Sequence, residues 1–192
     1  MLFDKKEYKE RLKKVKDSMQ KLGIELLVSH DPANMNYLTG YDAWSFYYAQ
    51  CVLVHINEDE PICSLRAQDV GGGYIKTYVQ HKNIIPYDEK YIHTWPLHPY
   101  QRLVEIINQK KWDKANIGLE MDSHYFTAFC YETIKNGLPL QSSARWFWPP
   151  AVTIPWASTS TLSTRSPRWS CCASTLRPSP AMTRESGPAS SR

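Results

Sequence analysis

Apolar residues near the amino terminus recur at alternating intervals of four and three positions, which places their side chains on one stripe of an α-helix. The residues of this stripe are Tyr8, Leu12, Val15, Met19 and Leu22. Asp4, with Glu7 three positions later, predicts a capped start, and Gly23 predicts the end of the helix. Because Lys and Glu fill the other positions, the pattern predicts a surface helix that packs through one face.

Short apolar runs alternate with helical patterns through the rest of residues 1–141. Strands are predicted at 24–29, 51–56, 62–66, 83–87 and 116–120, and the acidic turn 57–61 joins two of them as a β-hairpin. Helices are predicted at 67–79, 100–108 and 123–135, a short helix or turn at 34–39, and an irregular proline-containing loop at 88–99. This alternation predicts an α/β fold, a mixed β-sheet of about five or six strands flanked by helices.

The composition of the chain changes at about residue 141. Residues 142–192 contain 12 Ser, 7 Pro, 6 Arg and four of the seven Trp, but no Lys. The prolines exclude long helices, and no apolar period remains. We therefore divide the chain into a domain at 1–141 and a non-native or disordered tail at 142–192. Translation in a shifted reading frame is the favoured explanation of the tail. A genuine disordered segment and a folded Arg/Trp segment that binds single-stranded nucleic acid are the alternatives.

The charge is divided unequally between these two parts. Residues 1–141 carry 17 basic and 18 acidic side chains, whereas residues 142–192 carry six Arg and one Glu. Phosphate binding needs clustered cations on a folded surface, so this balance argues against a nucleic-acid partner for the domain. The chain has no apolar run of about 18 residues and no signal-peptide pattern, so no membrane association is predicted. Its five cysteines form no CxxC pair, which favours free thiols and a cytoplasmic location.

The residue types that carry catalysis form no known constellation. The six histidines, at positions 30, 55, 81, 93, 98 and 124, include no HxH or HExxH pair, and those at 93 and 98 are expected to be solvated or capping. Gly71–Gly73 lacks the spacing of a phosphate-binding loop, and Asp122 near His124 has no nucleophile beside it. We therefore predict no catalytic residue, no metal site and no cofactor in this chain.

The segment 34–56 concentrates aromatic residues between a helix break and a strand. After Gly40, five aromatic residues occur within the eight positions 41–48, and an apolar strand begins at Cys51. Rings of this density belong either to a core or to the wall of a pocket, and composition does not separate the two. Loops that project from a scaffold in this way often carry binding residues.

The order of residues 34–47, NMNYLTGYDAWSFY, resembles the amino-terminal domain of the creatinase/prolidase superfamily. Residues 83–87 (NIIPY) and 118–126 (GLEMDSHYF) resemble the same domain in the same order. Within the superfamily, the chain is most similar to ectoine hydrolases. The resemblance covers residues 7–141 and implies the α/β fold of that domain.

Members of this superfamily are two-domain hydrolases that act on C–N bonds. Many hold two metal ions in a carboxyl-terminal catalytic domain of pita-bread fold, and no stretch of this chain resembles that domain. The resemblance therefore implies a truncated, non-catalytic domain for substrate shaping and dimerisation, inactive alone on ectoine, creatine and proline dipeptides. A divalent metal is expected only in the missing domain. A free-standing module of the same fold that binds a protein or peptide is the alternative.

Creatinases follow the equivalent aromatic run with an arginine that binds substrate in a neighbouring subunit, whereas this chain has Ala49-Gln50 there. That contact is therefore not expected, and the run favours the ectoine-hydrolase branch. The resemblance implies that the rings wall a small-molecule pocket of the partner subunit in a homodimer, and they suit a compact cyclic cation. Burial in the core is the alternative. The predicted substrate-binding residues are Tyr41, Trp44, Ser45, Phe46 and Tyr47.

Overall fold

The computed structural model describes residues 3–42 and 44–138, so the prediction for the tail at 142–192 lies outside the described residues. The helices are α1 (Lys5–Leu22), α2 (Pro32–Thr39), α3 (Val70–Lys76), α4 (Pro99–Gln109) and α5 (Ala128–Gly137). The strands are β1 (Leu26–Ser29), β2 (Cys51–His55), β3 (Ile62–Arg66), β4 (Ile84–Tyr87) and β5 (Ile117–Leu119). None of these helices is long and apolar enough to cross a bilayer.

The strands form one mixed sheet in the order β4-β3-β2-β1-β5. β2 is antiparallel to β1 and to β3, and the pairs β1–β5 and β3–β4 are parallel. The predicted hairpin is therefore β2–β3, and the predicted mixed α/β sheet is confirmed. Because β2 alone runs in the opposite direction, the carboxyl ends of the other four strands lie at one edge of the sheet, beside the start of β2.

Two apolar layers separate the sheet from its helices. α4 and α5 pack on the face that carries Leu26 and Leu53, and α1 and α2 pack on the face that carries Val52 and Val54. Neighbouring residues of a strand point to opposite faces, so β2 contributes to both layers. This double coverage explains why the strands read as continuous apolar runs in the sequence.

The predicted limits of α1 are confirmed. Asp4 Oδ1 accepts the amide of Glu7 at 2.8 Å, and Gly23 ends the helix with φ of 68°. The Glu7 carboxylate binds Arg11 at 2.9 Å, so only the first half of the predicted capping box is formed. In the predicted stripe, Tyr8, Leu12, Val15 and Met19 are buried against the sheet and Leu22 is half-buried.

Three helix predictions need correction. α5 begins at Ala128 rather than at residue 123, because Thr127 caps it by accepting the amide of Cys130 through Oγ1 at 3.3 Å. Pro99 does not extend the irregular loop but begins α4, where its missing N–H would have no helical partner in any case. The helix predicted at 67–79 is divided into the turn Ala67–Asp69 and the shorter α3.

Candidate functional site

The aromatic loop, residues 41–48, lies at the edge of the sheet where the four parallel strands end. It follows α2 and leads into β2, whose first residue pairs with Ser64 in the middle of β3. The segment after β4 and the segment after β5 begin at the same edge. Proteins with open α/β sheets bind ligands outside the carboxyl ends of the strands, so this edge is the candidate functional site.

Gly40 sets the direction in which the chain enters the aromatic loop. It ends α2 in the left-handed region, with φ of 83°, and its amide donates to the Asn36 carbonyl. A Cβ atom at this position would lie 2.8 Å from Tyr8 Oη and 3.1 Å from the carbonyl oxygen of Lys76. Both the backbone angle and the lack of space therefore require glycine here.

Gln50 fixes the aromatic loop from inside the protein. Its Oε1 accepts from Tyr41 Oη at 3.0 Å and from the amide of Arg66 at 3.3 Å. Its Nε2 donates to the carbonyl oxygen of Ser45 at 2.9 Å, which also accepts the amide of Tyr48. One buried side chain thus joins the start and the middle of the loop to β3.

The structure divides the five predicted substrate-binding residues into two groups. Tyr41 and Ser45 are buried, and burial raises the pKa of the Tyr41 phenol. The side chains of Trp44, Phe46 and Tyr47 are exposed by 83%, 46% and 59%. Tyr41 and Ser45 therefore hold the loop in place, while the other three present their rings to solvent. Substrate binding by these residues stays a prediction.

A second feature, the aromatic pocket, lies beside the loop and has a volume of about 410 Å³. It is bounded by residues 47–49, the loop 91–99 and the start of α5. The rings of Trp95 and Phe129 contact each other with centroids 5.2 Å apart at a tilt of 32°, and Tyr125 meets Phe46 of the aromatic loop edge to face at 5.9 Å. The described lining includes the aromatic rings of Tyr47, Tyr48, Tyr91, Trp95, Tyr125 and Phe129.

The sequence pattern does not single out Trp95 or Phe129. Trp95 lies in an irregular segment without periodicity, and Phe129 fits the apolar spacing of a helix that was expected to face the core. The sequence signal that could have found the pocket is Trp95 itself. A tryptophan in a proline-containing loop does not belong to the apolar face of any predicted helix or strand, so it marks a residue with another role. Its ring partner Phe129 is 34 positions away, and no local pattern connects the two.

A histidine and a cysteine meet at the wall of the aromatic pocket. His98 Nε2 lies 3.6 Å from Cys130 Sγ, and His98 Nδ1 accepts the amide of Tyr100 at 3.1 Å. Burial lowers the pKa of His98 to about 4 and raises the pKa of the Cys130 thiol. Both groups are therefore neutral at neutral pH, and the pair lacks the thiolate that a cysteine nucleophile requires. His98 caps α4, as its sequence position allowed.

The cap formed by His98 predicts an acid-sensitive stability. An unfolded histidine titrates near pH 6.5, whereas the folded pKa is about 4, so the unfolded chain binds the extra proton first between these values. The contribution of His98 is present above about pH 6.5 and is lost as the pH falls, by at most about 1.4 kcal/mol per pH unit. His98→Asn keeps a capping side chain without this titration. Urea unfolding between pH 7 and pH 4.5 should show a shallower decline for the variant, and parallel curves would contradict the prediction.

A cleft of about 360 Å³ lies between α1, α2 and β5, and Glu120 stands at its polar end. One oxygen of Glu120 accepts from Ser29 Oγ and Asn34 Nδ2, both within 2.8 Å. The other accepts the amides of His30 and Asp31 at 2.8 and 2.9 Å. With four donors already bound, this carboxylate joins β5 to the start of α2 and is not available as a catalytic base. Asp122 and His124 line the exposed side of the same cleft.

Within residues 3–42 and 44–138, no group of three or more His, Cys, Asp or Glu side chains could hold a metal ion. The fold and the edge loops therefore define an α/β domain that presents an aromatic surface where its parallel strands end. The chain belongs to the creatinase/prolidase N-terminal domain family, whose model matches residues 11–145. The predicted family and its fold are confirmed.

Relatives of this chain include an enzyme of known activity. The chain is 39% identical to the ectoine hydrolase of Halomonas elongata over 138 residues, which cover 71% of this chain and 34% of that enzyme. It is 36% identical over 137 residues to an uncharacterized hydrolase/peptidase of Sinorhizobium fredii, with coverage of 71% and 35%. The chain thus spans about a third of the length of the curated relatives it matches.

Solved structures share the fold at lower identity. The N-terminal domain of an X-Pro dipeptidase from Streptococcus pyogenes matches with a TM-score of 0.53 and 17% identity, over 68% of this chain and 88% of that chain. A dipeptidase from Mycobacterium ulcerans matches with a TM-score of 0.53 and 15% identity, over 71% and 33%. These similarities support the architecture of the domain.

Proposed function

We propose that residues 1–141 form the substrate-shaping and dimerisation domain of a C–N bond hydrolase related to ectoine hydrolase. The observation that carries this proposal is the set of exposed rings Trp44, Phe46 and Tyr47, which the buried Gln50 supports in a domain similar to that enzyme. The domain supplies the wall of a small-molecule site. Bond cleavage, and any divalent metal, belongs to a separate catalytic domain.

The exposure of these rings supports a role at a subunit interface. A tryptophan exposed by 83% beside two further exposed rings forms an apolar surface of the kind that interaction sites present. We place this surface against the substrate pocket of the partner subunit in a homodimer. Each ring that stacks on a compact cyclic cation would contribute about 0.5–2 kcal/mol. The buried, free thiols of Cys51, Cys63 and Cys130 support the proposed cytoplasmic location.

Trp44→Ala tests the proposal in the full-length enzyme, with residues 1–141 joined in frame to the catalytic domain. Because Trp44 makes few buried contacts, the melting temperature should change little. The kcat/KM for ectoine should fall at least about tenfold, equivalent to roughly 1.4 kcal/mol of transition-state binding. Ile75→Ala removes an equally exposed apolar side chain on α3, outside the aromatic loop, and should leave kcat/KM unchanged. Equal kinetics for the two variants would rule out the proposed wall.

Mixed dimers test whether the loop serves the partner subunit. Subunits with Trp44→Ala keep an intact catalytic domain, and subunits with an inactivated catalytic domain keep an intact loop. If the loop acts on the neighbouring active site, mixing these two inactive or weakly active forms should restore activity in the mixed dimer. If the activity of the mixture never exceeds the sum of the separate forms, the loop acts on the active site of its own subunit, and the role of the homodimer in the proposal is wrong.

A further inference from the structure

We propose that the aromatic pocket binds a small, weakly hydrated organic cation of the quaternary ammonium class. This goes beyond the proposed function, which concerns the outer rings of the aromatic loop against a partner subunit. The described residues that line the aromatic pocket all lie within 47–130 of this domain. Ligand binding can therefore be tested on the chain by itself.

The walls of the aromatic pocket combine paired rings with exposed ring surface. Trp95 is exposed by 81%, although its ring centroid lies only 5.2 Å from that of Phe129. A second ring pair in the lining, Tyr47 and Tyr48, has centroids 4.7 Å apart at a tilt of 47°. A volume of about 410 Å³ between these walls falls in the range of small-molecule sites.

The charge of the lining selects the ligand class. Among the described residues that line the pocket there is no Lys, Arg, Asp or Glu side chain. Aromatic faces carry a negative potential, so they disfavour anions and attract cations. The His98 imidazole is neutral at neutral pH because burial lowers its pKa to about 4, so it does not repel a cation. Without a carboxylate to replace lost hydration, a weakly hydrated cation suits these walls better than a primary ammonium.

One wall of the pocket already takes part in an interaction of this kind. The guanidinium carbon of Arg66 lies 4.2 Å from the ring centroid of Tyr48. The Arg66 charge is paired with Glu89, because Arg66 Nε and Nη2 donate hydrogen bonds to the Glu89 carboxylate at 2.9 and 2.8 Å. The ion pair limits repulsion of a second cation in the pocket. The contact between Arg66 and Tyr48 is thus a cation–π interaction within this domain, of the kind that we propose between the ligand and the other rings.

The test compares choline with 3,3-dimethylbutan-1-ol, its neutral isostere, in NMR titrations of the isotope-labelled chain. Choline should shift the indole N–H resonance of Trp95 with a saturable curve, and the neutral alcohol should bind at least about tenfold more weakly. Equal affinity for the two probes would show an apolar site and overturn the proposal. No saturable shift with choline up to about 100 mM, near the weakest affinity expected for a few cation–π contacts, would also overturn it.

Matched variants locate the contact. Trp95→Leu keeps an apolar side chain but removes the aromatic face, so choline affinity should fall at least about fivefold. Here the reporter is a second resonance of the pocket, the amide of Phe129. Tyr74→Leu removes an exposed ring of α3 that stacks on His81 outside the pocket, and it should leave the affinity unchanged. Trp95→Leu with unchanged affinity, or Tyr74→Leu with an equal loss, would contradict the assignment to this pocket.

Discussion

Replacing Glu120 with alanine is expected to lower the free energy of unfolding by about 3–5 kcal/mol. The change leaves the Ser29 hydroxyl, the Asn34 amide and the backbone amides of His30 and Asp31 without their acceptor. A buried donor without a partner costs on the order of 1–3 kcal/mol, and water that enters from the open cleft would offset part of the sum. Urea unfolding followed by circular dichroism measures the loss.

Two further glutamate variants make this prediction specific. Glu120→Gln keeps the shape of the side chain but replaces one accepting oxygen with a donor, so about half of the effect is expected. Glu105→Ala removes an exposed carboxylate whose contact is the 2.7 Å ion pair with Arg102, and its effect should stay within about 1 kcal/mol. A loss below about 1 kcal/mol for Glu120→Ala would show that the hydrogen bonds to this carboxylate are readily replaced by water.

The second large effect is expected for Gln50→Leu, which should cost about 2–3 kcal/mol of stability and release the aromatic loop. The variant removes the partner of the Tyr41 hydroxyl, of the Ser45 carbonyl and of the Arg66 amide while keeping similar volume. Hydrogen exchange should accelerate at the amide of Tyr48, because its acceptor Ser45 loses its fixed position. Exchange measured by NMR at single residues provides this test.

Gln109→Leu is the matched control for this effect, since Gln109 is exposed at the end of α4. It should leave both the stability and the exchange of the aromatic loop unchanged. Gln50→Glu keeps an acceptor for the Tyr41 hydroxyl but removes the donor to the Ser45 carbonyl. It therefore measures the contribution of the hydrogen bond to Ser45 separately from that of the hydrogen bond to Tyr41. If the loop amides of Gln50→Leu exchange at the original rate, the loop is held by its own packing and not by Gln50.

The helices and strands of the domain could be predicted because the buried face of a regular element produces apolar residues at regular intervals in the sequence. β2 and β3 lie at the residues where continuous apolar runs predicted strands, and α1 begins and ends at its capping residues. The start of α5 was predicted five residues too early, for a physical reason. Phe126 continues the helical spacing but precedes the helix, because its ring stacks on His30 at 4.3 Å. Phe126 is apolar because of this long-range contact, although its position fits the local spacing of a helix.

The candidate site was predicted only in part, because its contacts are not local. The density of aromatic residues marked the loop, but it could not separate Tyr41, which turns inward to Gln50, from Tyr47, which faces solvent. Tyr41 turns inward because its hydroxyl binds the side-chain amide of Gln50, nine positions later. In the sequence, Gln50 stood out only because it lies near the position where creatinases have an arginine. The opposite wall of the aromatic pocket depends on Trp95 and Phe129. No spacing rule connects two segments that only the sheet brings together.

The pairing of β1 with two strands has a consequence for the order of folding. Leu26 pairs with His55, 29 positions later, but with Ile117 only after 91 positions. Closing the longer loop costs about 1 kcal/mol more in chain entropy, so we expect the β1–β2–β3 meander to form first and β5 to dock late. During synthesis, β1 must then wait with one edge unpaired until residue 119 has left the ribosome. The carboxylate of Glu120, which follows directly, completes the connection between β5 and α2 at the last step of assembly.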